Sequence, residues 1–181
     1  MSDIGRPAYL DRIVPFCDKP LVKVLTGMRR VGKSSLVRLL AGHLRDQGVP
    51  ESRIICINKE SMDWDFIRDA EELYEYVLRR IEDSPAKPYL FIDEVQEISN
   101  WERAVNSLLA DDRADITVIG SNAELLSSEL ATLISGRYVE FAILPLTYGE
   151  FLTFRGAGSG DSPEEFRRYL RYGGLPGIHI L

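Results

Sequence analysis

Apolar residues along the chain form five short runs, separated by segments of helical periodicity. The runs cover residues 21–26, 53–58, 89–93, 116–121 and 139–144. Because few polar residues interrupt them, they are typical of strands that are buried on both faces of a sheet. Strands that alternate with helices form crossover units on a mainly parallel sheet. The pattern therefore predicts an α/β fold.

The segments between these runs predict amphipathic helices. Apolar residues recur at three- and four-residue steps from Phe66 to Ile81, which gives that helix one apolar face and one charged face. Further helices are predicted over residues 33–47, from a capping box of Ser99 and Glu102 through Leu109, and over residues 164–172.

A glycine-rich segment, residues 156–161, is the one flexible linker in the sequence. It divides the chain into a core, residues 1–155, and a small helical appendage, residues 156–181. Ser162 before Pro163 is a typical start signal for the last helix. The sequence therefore predicts one main domain followed by a short extension.

Composition and charge narrow the class of protein. Hydrophobic residues make up 45% of the chain and charged residues 28%, which is typical of a globular domain and not of a disordered chain. The net charge of −6 disfavours an electrostatic grip on bulk nucleic acid but leaves a local basic patch open. Nucleic acid is therefore a disfavoured partner.

Cysteine content and hydropathy predict the compartment. The N-terminus has no charged start followed by an apolar core, and no segment approaches the roughly 18 apolar residues that a membrane helix needs. Two cysteines imply no disulfide framework or zinc site, and Cys56 in an apolar run is expected to be buried. We therefore expect a cytoplasmic protein without a signal peptide or membrane segment.

A phosphate-binding motif lies between the first predicted strand and the first predicted helix. The pattern G-x-x-x-x-G-K-[ST] is matched by Gly27, Met28, Arg29, Arg30, Val31, Gly32, Lys33 and Ser34. The two glycines let phosphate oxygens approach backbone N–H groups, and the following helix directs its positive end at the anion. Lys33 is expected to contact the β- and γ-phosphates, and Ser34 to ligate Mg²⁺.

The rest of the loop predicts a nucleotide site with ATP and Mg²⁺ as cofactors. Ser35 completes the set of expected nucleotide-binding residues. Arg29 and Arg30 either touch phosphate or lie on the outer wall of the loop, and the sequence leaves both alternatives open.

Two consecutive acids, Asp93 and Glu94, follow the third apolar run. The C-terminal ends of parallel strands are where ligands bind in open α/β sheets. Because side chains alternate along a strand, the two carboxylates point to different sides and can do different work. We expect Asp93 to hold Mg²⁺, usually through its water, and Glu94 to orient and deprotonate the attacking water. This division predicts hydrolysis rather than binding alone.

Asn122 and Arg137 are candidates for contact with the γ-phosphate. Asn122 follows the fourth predicted strand, and its amide can donate to the γ-phosphate or accept from the attacking water. Arg137 precedes the last strand and is a candidate for neutralising charge on the transferred phosphoryl group. A turn-forming asparagine and a surface or ion-paired arginine are the alternatives. Whether Arg137 serves its own nucleotide or that of a neighbouring copy in a homo-oligomer stays open.

Segments along practically the whole chain resemble a family of bacterial and archaeal AAA+-like P-loop ATPases, which usually carry a C-terminal domain of unknown function. These segments are GMRRVGKSSL, YLFIDEVQ, GSNAELL, SGRYVEF, LPLTYGEF and YGGLP. The resemblance implies a three-layer αβα sandwich with a five-stranded sheet ordered 5-1-4-3-2. It also implies that residues 166–172 begin a lid and that the usual downstream domain is absent from this sequence.

The resemblance assigns the same roles by position. Phosphate binding falls on the glycine-rich loop, the metal and catalytic acids on Asp93 and Glu94, and a sensor role on Asn122. Arg137 corresponds to the arginine of the family's GR pair.

The leading hypothesis is Mg²⁺-dependent ATP binding and hydrolysis, coupled to a conformational change that is passed to a protein partner of unknown identity. A small-molecule or nucleotide kinase would use the same loop but would gain little from a water-activating Glu94. A nucleotide-gated binding module would hold ATP with negligible hydrolysis. GTP is disfavoured, because a segment that begins like a guanine-reading motif has Ser61 where a carboxylate is needed.

Overall fold

The computed structural model describes residues 6–82, 86–120, 134, 136–156 and 162–178. Within these residues the strands are β1 (Val22–Thr26), β2 (Ile54–Asn58), β3 (Tyr89–Asp93), β4 (Asp115–Ile119) and β5 (Tyr138–Ala142). The helices are α1 (Pro7–Ile13), α2 (Lys33–Asp46), α3 (Ala70–Glu82), α4 (Trp101–Ala110), α5 (Tyr148–Phe154) and α6 (Pro163–Tyr172). No helix of the described ranges is long and apolar enough to cross a membrane.

The five strands form one parallel sheet in the order β2-β3-β4-β1-β5. Every position of the three central strands is buried, and only the edge strands β2 and β5 have exposed positions. Continuous apolar runs suit strands that are covered on both faces. The predicted α/β class and the sheet order 5-1-4-3-2, read from the opposite edge, are therefore confirmed.

Helices cover both faces of this sheet. Alternate strand residues such as Val24 and Ile92 belong to the core under α3 and α4. Their neighbours Leu25 and Phe91 belong to the core under α1 and α2. Because strand side chains alternate between faces, these two clusters make the three-layer αβα sandwich.

Helix α3 begins at Ala70, four residues after the predicted start at Phe66. The carboxylate of Asp69 accepts hydrogen bonds from the backbone N–H groups of Glu71 and Glu72, both at 3.0 Å. This cap satisfies two of the free N–H groups of the first turn and fixes the start of the helix there. Phe66 therefore lies before the helix and is half-exposed.

The predicted capping box at the start of α4 is wrong. Asn100 is the N-cap residue in a left-handed conformation, and its side chain makes no capping hydrogen bond. Ser99 instead forms a parallel bridge with Asp69, and its N–H donates to the carbonyl of Arg68 at 2.8 Å. Glu102 is buried. A tertiary contact thus replaces the local cap.

The prediction of a buried Cys56 is also wrong. Cys56 lies in β2 at the edge of the sheet, where the side chain is exposed. An apolar run does not reveal that its strand lies at the edge of the sheet, where a position can stay exposed.

Helices α5 and α6 pack against each other at the end of the chain. Tyr148 and Phe151 of α5 contact the rings of Phe166 and Tyr169 of α6, with ring centroids 5.2 to 5.4 Å apart. Ser162 caps α6 by accepting a hydrogen bond from a backbone N–H, as predicted, and the helix ends before Gly173. This pair forms the helical end that follows the sheet.

Candidate functional site

The loop between β1 and α2 has the backbone shape that its two glycines permit. Gly27 has a φ of 148°, and a Cβ at this position would overlap the carbonyl oxygen of Ile143. Gly32 has a φ of 95° and is the N-cap residue of α2. Side chains are strained in both conformations. The glycines are therefore required by the backbone geometry at the N-terminus of α2.

Lys33 is the first residue of α2, and its side chain turns back over the loop. The Nζ atom donates to the carbonyl oxygens of Gly27 at 2.8 Å and Met28 at 3.0 Å. Lys33 is only 6% exposed, and this burial lowers the pKa of its ammonium group, while the nearby carboxylates of Glu94 and Asp93 oppose the shift. The loop thus holds a desolvated positive charge at the end of the sheet.

Asp93 is the last residue of β3, at the same end of the sheet as the loop. It is buried, and its carboxylate accepts hydrogen bonds from the Ser34 side chain and from the N–H of Glu94 at 3.1 Å. Burial raises the pKa of Asp93, and the hydrogen bond from Ser34 opposes this shift. One carboxylate and one hydroxyl side by side are hard oxygen donors of the kind that Mg²⁺ uses together with phosphates and water.

The Ser34 hydroxyl and the Asp93 carboxylate suit Mg²⁺, which needs few protein ligands, better than a metal ion that is coordinated by protein side chains alone. Within the described ranges no group of three or more His, Cys, Asp or Glu residues could hold a metal ion. Mg²⁺ usually takes one or two protein oxygens and completes its shell with water and substrate phosphates. Ser34 and Asp93 would therefore be its protein ligands.

Glu94 lies in a strained turn next to the loop. Its φ of 51° and ψ of 51° are left-handed, and it begins the short 3-10 turn Val95–Glu97. Only 8% of Glu94 is exposed, and the Nε2 atom of Gln96 donates to its Oε2 atom. Non-glycine residues hold such backbone angles only where the surroundings enforce them, so the position of this carboxylate is closely determined.

A cavity of about 490 Å³ lies over the loop. Its volume falls in the range of about 300 to 1,000 Å³ that small-molecule sites occupy. It is lined by Arg29, Arg30, Gly32, Lys33, Ser34, Ser35, Glu60, Glu94, Pro176 and Gly177. The structure therefore brings most of the predicted loop residues and one predicted acid to one cavity.

The other predicted site residues have different places. Val31 is buried in the core under α1 and α2, and the exposed Met28 contributes its carbonyl to Lys33. The exposed Arg29 and Arg30 line the cavity, which is compatible with either of their two alternatives. Asn122 lies outside the described residues.

Arg137 lies at the end of the sheet where the parallel strands begin, whereas the loop lies at the end where they finish. Strands β1 and β5 pair in parallel from Val22 with Tyr138 onward, so Arg137 stands where the strands begin. Five strand residues, about 16 Å, separate this edge from the loop, and Nη2 of Arg137 donates to Oδ1 of Asn106 at 2.5 Å. The placement argues against a contact between Arg137 and the nucleotide of its own chain.

Three cavity residues were not predicted from the sequence. Glu60 follows β2 and adds a second carboxylate to the cavity lining beside Glu94, while Pro176 and Gly177 belong to the segment after α6. A Cβ on Gly32 would lie 3.9 Å from Cγ of Pro176. The YGGLP segment supports the family resemblance without indicating a role, and Glu60 stands next to Ser61 in the segment that begins like a guanine-reading motif.

Arg6 also contacts the loop from outside the cavity. It is buried, and its Nη1 atom donates to the carbonyls of Val31 at 3.3 Å and Leu144 at 3.1 Å. Its Nε and Nη2 atoms donate to both carboxylate oxygens of Glu150 at 2.8 and 3.1 Å. Glu150 in turn closes a capping box with Thr147 at the start of α5. Arg6 therefore connects the phosphate loop to the helical end of the chain.

The AAA_14 family model, described as an AAA domain, matches residues 19–152. This chain belongs to the AAA domain family. An uncharacterized protein of Haemophilus influenzae is 38% identical over 177 residues, which cover 97% of this chain and 44% of that protein. An uncharacterized protein of Methanocaldococcus jannaschii is 34% identical over 88% of this chain and 36% of its own length.

This AAA domain chain therefore spans less than half the length of these two relatives. Solved structures agree on the fold. Yeast Hsp104 in complex with casein matches 98% of this chain and 36% of its own with a TM-score of 0.63 and 20% identity. The Hsp104–ADP complex matches 98% of this chain and 29% of its own with a TM-score of 0.67 and 18% identity. Membership of the AAA domain family implies nucleotide binding.

Proposed function

We propose that this chain binds ATP together with Mg²⁺ and hydrolyses the β-γ phosphoanhydride in the cavity beside Lys33. The observation that carries the proposal is that the buried Glu94 lines the same cavity as the phosphate-loop residues Lys33 and Ser34. A kinase would need an acceptor hydroxyl in place of water and would gain little from a water-activating Glu94. The geometry therefore favours hydrolysis.

Each residue has a defined part in this reaction. The N–H groups at the start of α2 and the ammonium of Lys33 bind the phosphates and stabilise the charge that develops on them. Ser34 and Asp93 would hold Mg²⁺, which when bound neutralises phosphate charge. Glu94 orients the attacking water and accepts its proton.

We further propose that nucleotide binding changes the position of the helical end of the chain. Pro176 and Gly177 line the nucleotide cavity directly after α6, and Arg6 joins the loop carbonyl of Val31 to Glu150 of α5. A nucleotide that contacts both sides of this cavity would bind more tightly to an arrangement in which the helical end lies close to the loop. It would therefore shift the population toward that arrangement. The solved ADP complex of Hsp104, which shares the fold, gives this proposal a precedent in nucleotide binding.

A nucleotide-gated binding module is the second candidate. The observation that favours it is the distance of Arg137 from the loop of its own chain, because charge neutralisation by this residue would require a neighbouring copy. In that case an isolated chain would hold ATP and turn it over slowly. Hydrolysis per molecule would rise with protein concentration, and Arg137→Ala would remove the rise. We also propose that a protein partner receives the conformational change and that the protein acts in the cytoplasm.

The experiment that tests the function is phosphate release from ATP, with GTP and with EDTA-treated samples in parallel. We expect release from ATP that needs Mg²⁺ and no added acceptor. Glu94→Gln is expected to keep ATP bound and to lower the rate by at least a hundredfold, because general base catalysis is worth about 10² to 10⁴.

Glu97→Gln is the matched control, because Glu97 lies on the same turn and is exposed. It is expected to release phosphate at the parent rate. If Glu94→Gln turned over ATP as fast as the parent protein, the water-activating role of Glu94 would be wrong. Release that required an added acceptor would favour the kinase.

A further inference from the structure

Gln96 contacts the carboxylate of Glu94 from within the same short turn. The turn is anchored by the buried side chains of Val95 and Ile98 on either side of Gln96. Two backbone hydrogen bonds close it, from the N–H of Glu97 to the carbonyl of Glu94 and from Ile98 to Val95, both at 3.0 Å. The side chain of Gln96 is therefore held where its Nε2 atom donates to Oε2 of Glu94.

The other end of the same amide has an unused acceptor. The Oε1 atom of Gln96 is buried, and it has no hydrogen-bond partner in the part of the chain that the structure describes. Buried polar atoms without a partner are rare and costly, so each one calls for an explanation. Because Oε1 and Nε2 belong to one amide, the contact of Nε2 with Glu94 is kept although it leaves Oε1 unpaired, which is a feature of functional sites.

We propose that Gln96 is a positioning residue, whose Nε2 atom fixes the carboxylate of Glu94 toward the water that Glu94 orients. The assignment of the amide follows from the chemistry, because a carboxylate accepts hydrogen bonds and only the NH₂ end of glutamine can donate. The carboxylate of Glu94 then meets the attacking water in one defined orientation. This inference rests on the proposed hydrolytic function of Glu94.

Gln96 would act on the rate and not on nucleotide affinity. It is absent from the residues that line the cavity within the described ranges, whereas Glu94 is among them. A misplaced general base lowers the rate of the chemical step without changing the contacts that hold the phosphates. A purely structural glutamine would instead affect folding stability and ATP affinity together.

The decisive variant is Gln96→Met, which keeps the length of the side chain and removes both the donor and the acceptor. We expect kcat for ATP hydrolysis to fall about 10- to 100-fold, with KM and the Kd for ATP within about twofold of the parent values. Glu97→Gln is the control from the same turn and is expected to keep both parameters. A parent-like kcat in a folded Gln96→Met protein would overturn the inference, as would a fall in affinity equal to the fall in kcat.

A double-mutant cycle tests whether Gln96 acts through Glu94. In the Glu94→Gln background, adding Gln96→Met is expected to lower kcat by less than about twofold, because the group that Gln96 positions is already gone. A full additional loss would mean that Gln96 acts independently of Glu94 and would contradict the proposal. If Gln96→Met does not fold, Gln96→Asn withdraws both groups by one methylene and is expected to show the same effects.

A spectroscopic measurement tests the contact without any hydrolysis. The side-chain NH₂ resonances of Gln96 can be assigned in a ¹⁵N–¹H spectrum by their loss in Gln96→Met. Glu94→Ala is expected to shift them, and Glu97→Ala is expected to leave them in place. Gln96 NH₂ resonances with unchanged chemical shifts in Glu94→Ala would show that Gln96 and Glu94 are not in contact. If the contact is present but the parent protein releases no phosphate, it is the proposed function that fails.

Discussion

Two buried lysines, Lys23 in β1 and Lys33 at the start of α2, lie toward opposite ends of the sheet and have different surroundings. Lys23 is fully buried in β1, and its Nζ lies 2.7 Å from Oδ1 of Asp115, which is itself buried. The second oxygen of Asp115 accepts a hydrogen bond from the N–H of Asp18 at 2.7 Å. Lys33 is nearly as buried but donates to two neutral carbonyl oxygens beside an open cavity.

The difference separates a structural charge from a binding charge. At the edge where the strands begin, a buried ammonium has a buried carboxylate partner, so the charges satisfy each other and leave nothing for a ligand. At the edge where the strands end, burial lowers the pKa of Lys33 and raises the pKa of Asp93. Both groups there carry a desolvation cost that a polyanion and a metal ion would relieve.

The largest expected effect comes from breaking the structural pair. Lys23→Ala leaves the carboxylate of Asp115 buried without its partner, so the free energy of unfolding should fall by about 3 to 5 kcal/mol. Urea unfolding followed by circular dichroism measures it. A change below about 1 kcal/mol would mean that Lys23 and Asp115 are not coupled as the structure describes.

Lys33→Ala is the counterpart at the site. We expect the Kd for ATP to rise about 100-fold, or about 3 kcal/mol, because hydrogen bonds from a charged group to phosphate are lost. The free energy of unfolding should change by less than about 1 kcal/mol, since the Lys33 ammonium donates to two neutral carbonyl oxygens in the described part of the chain. Equilibrium dialysis with labelled ATP and urea unfolding give the two numbers. A variant that is strongly destabilised but binds ATP normally would reverse the comparison.

Asp93→Asn should stabilise the protein while it removes function. A carboxyl group whose pKa is raised on folding contributes stability below its unfolded pKa, and that contribution is lost as the pH rises through the folded value. Above that folded value the ionised Asp93 opposes folding, and its replacement by Asn should add about 0.5 to 2 kcal/mol there. Phosphate release should fall to background.

Asp115→Asn is the matched control for this prediction. It should destabilise the protein, because it leaves Lys23 buried without a countercharge. Opposite signs for the changes in unfolding free energy of the two variants are measurable in the same urea series. A loss of stability in both variants would remove the distinction between the two ends of the sheet.

The smallest expected effect is on the pH dependence of the unfolding free energy. It comes from Cys17, near the buried pair of Lys23 and Asp115. Burial, with the charge of Asp115 next in importance, raises the pKa of this thiol from 9.0 to about 11. The stability that the neutral thiol contributes is complete below pH 9.0 and is lost as the pH rises through about 11. Cys17→Ala should therefore flatten the alkaline decline in unfolding free energy over this interval. An unchanged slope would contradict the burial of the thiol.

The parts of the fold that could be predicted from the sequence depend on local patterns. Continuous apolar runs predicted the strands because central parallel strands are buried on both faces. The phosphate loop could be predicted because Gly27 and Gly32 are required by the backbone itself. The capping box of Thr147 and Glu150 was equally visible as a sequence pattern, and it marks α5, which the apolar runs did not predict.

The parts that could not be predicted depend on contacts between distant segments. Pro176 reaches Gly32 only because α6 folds back over α5, and no periodicity encodes that path. Ser99 has the pattern of a cap, but its bridge to Asp69 decides its conformation. Arg137 precedes a strand, as expected, yet only the parallel register with β1 reveals that it stands at the far edge of the sheet.

The central claim is that the loop around Lys33 binds the phosphates of ATP, and calorimetry tests it most directly. Titration of Mg²⁺-ATP into the parent protein should give saturable binding heat, and the Lys33→Ala protein should show an affinity about 100-fold weaker. Both proteins should have the same circular dichroism spectrum. A folded parent protein that gives no binding heat, or a Lys33→Ala protein that binds ATP as tightly as the parent, would contradict the claim.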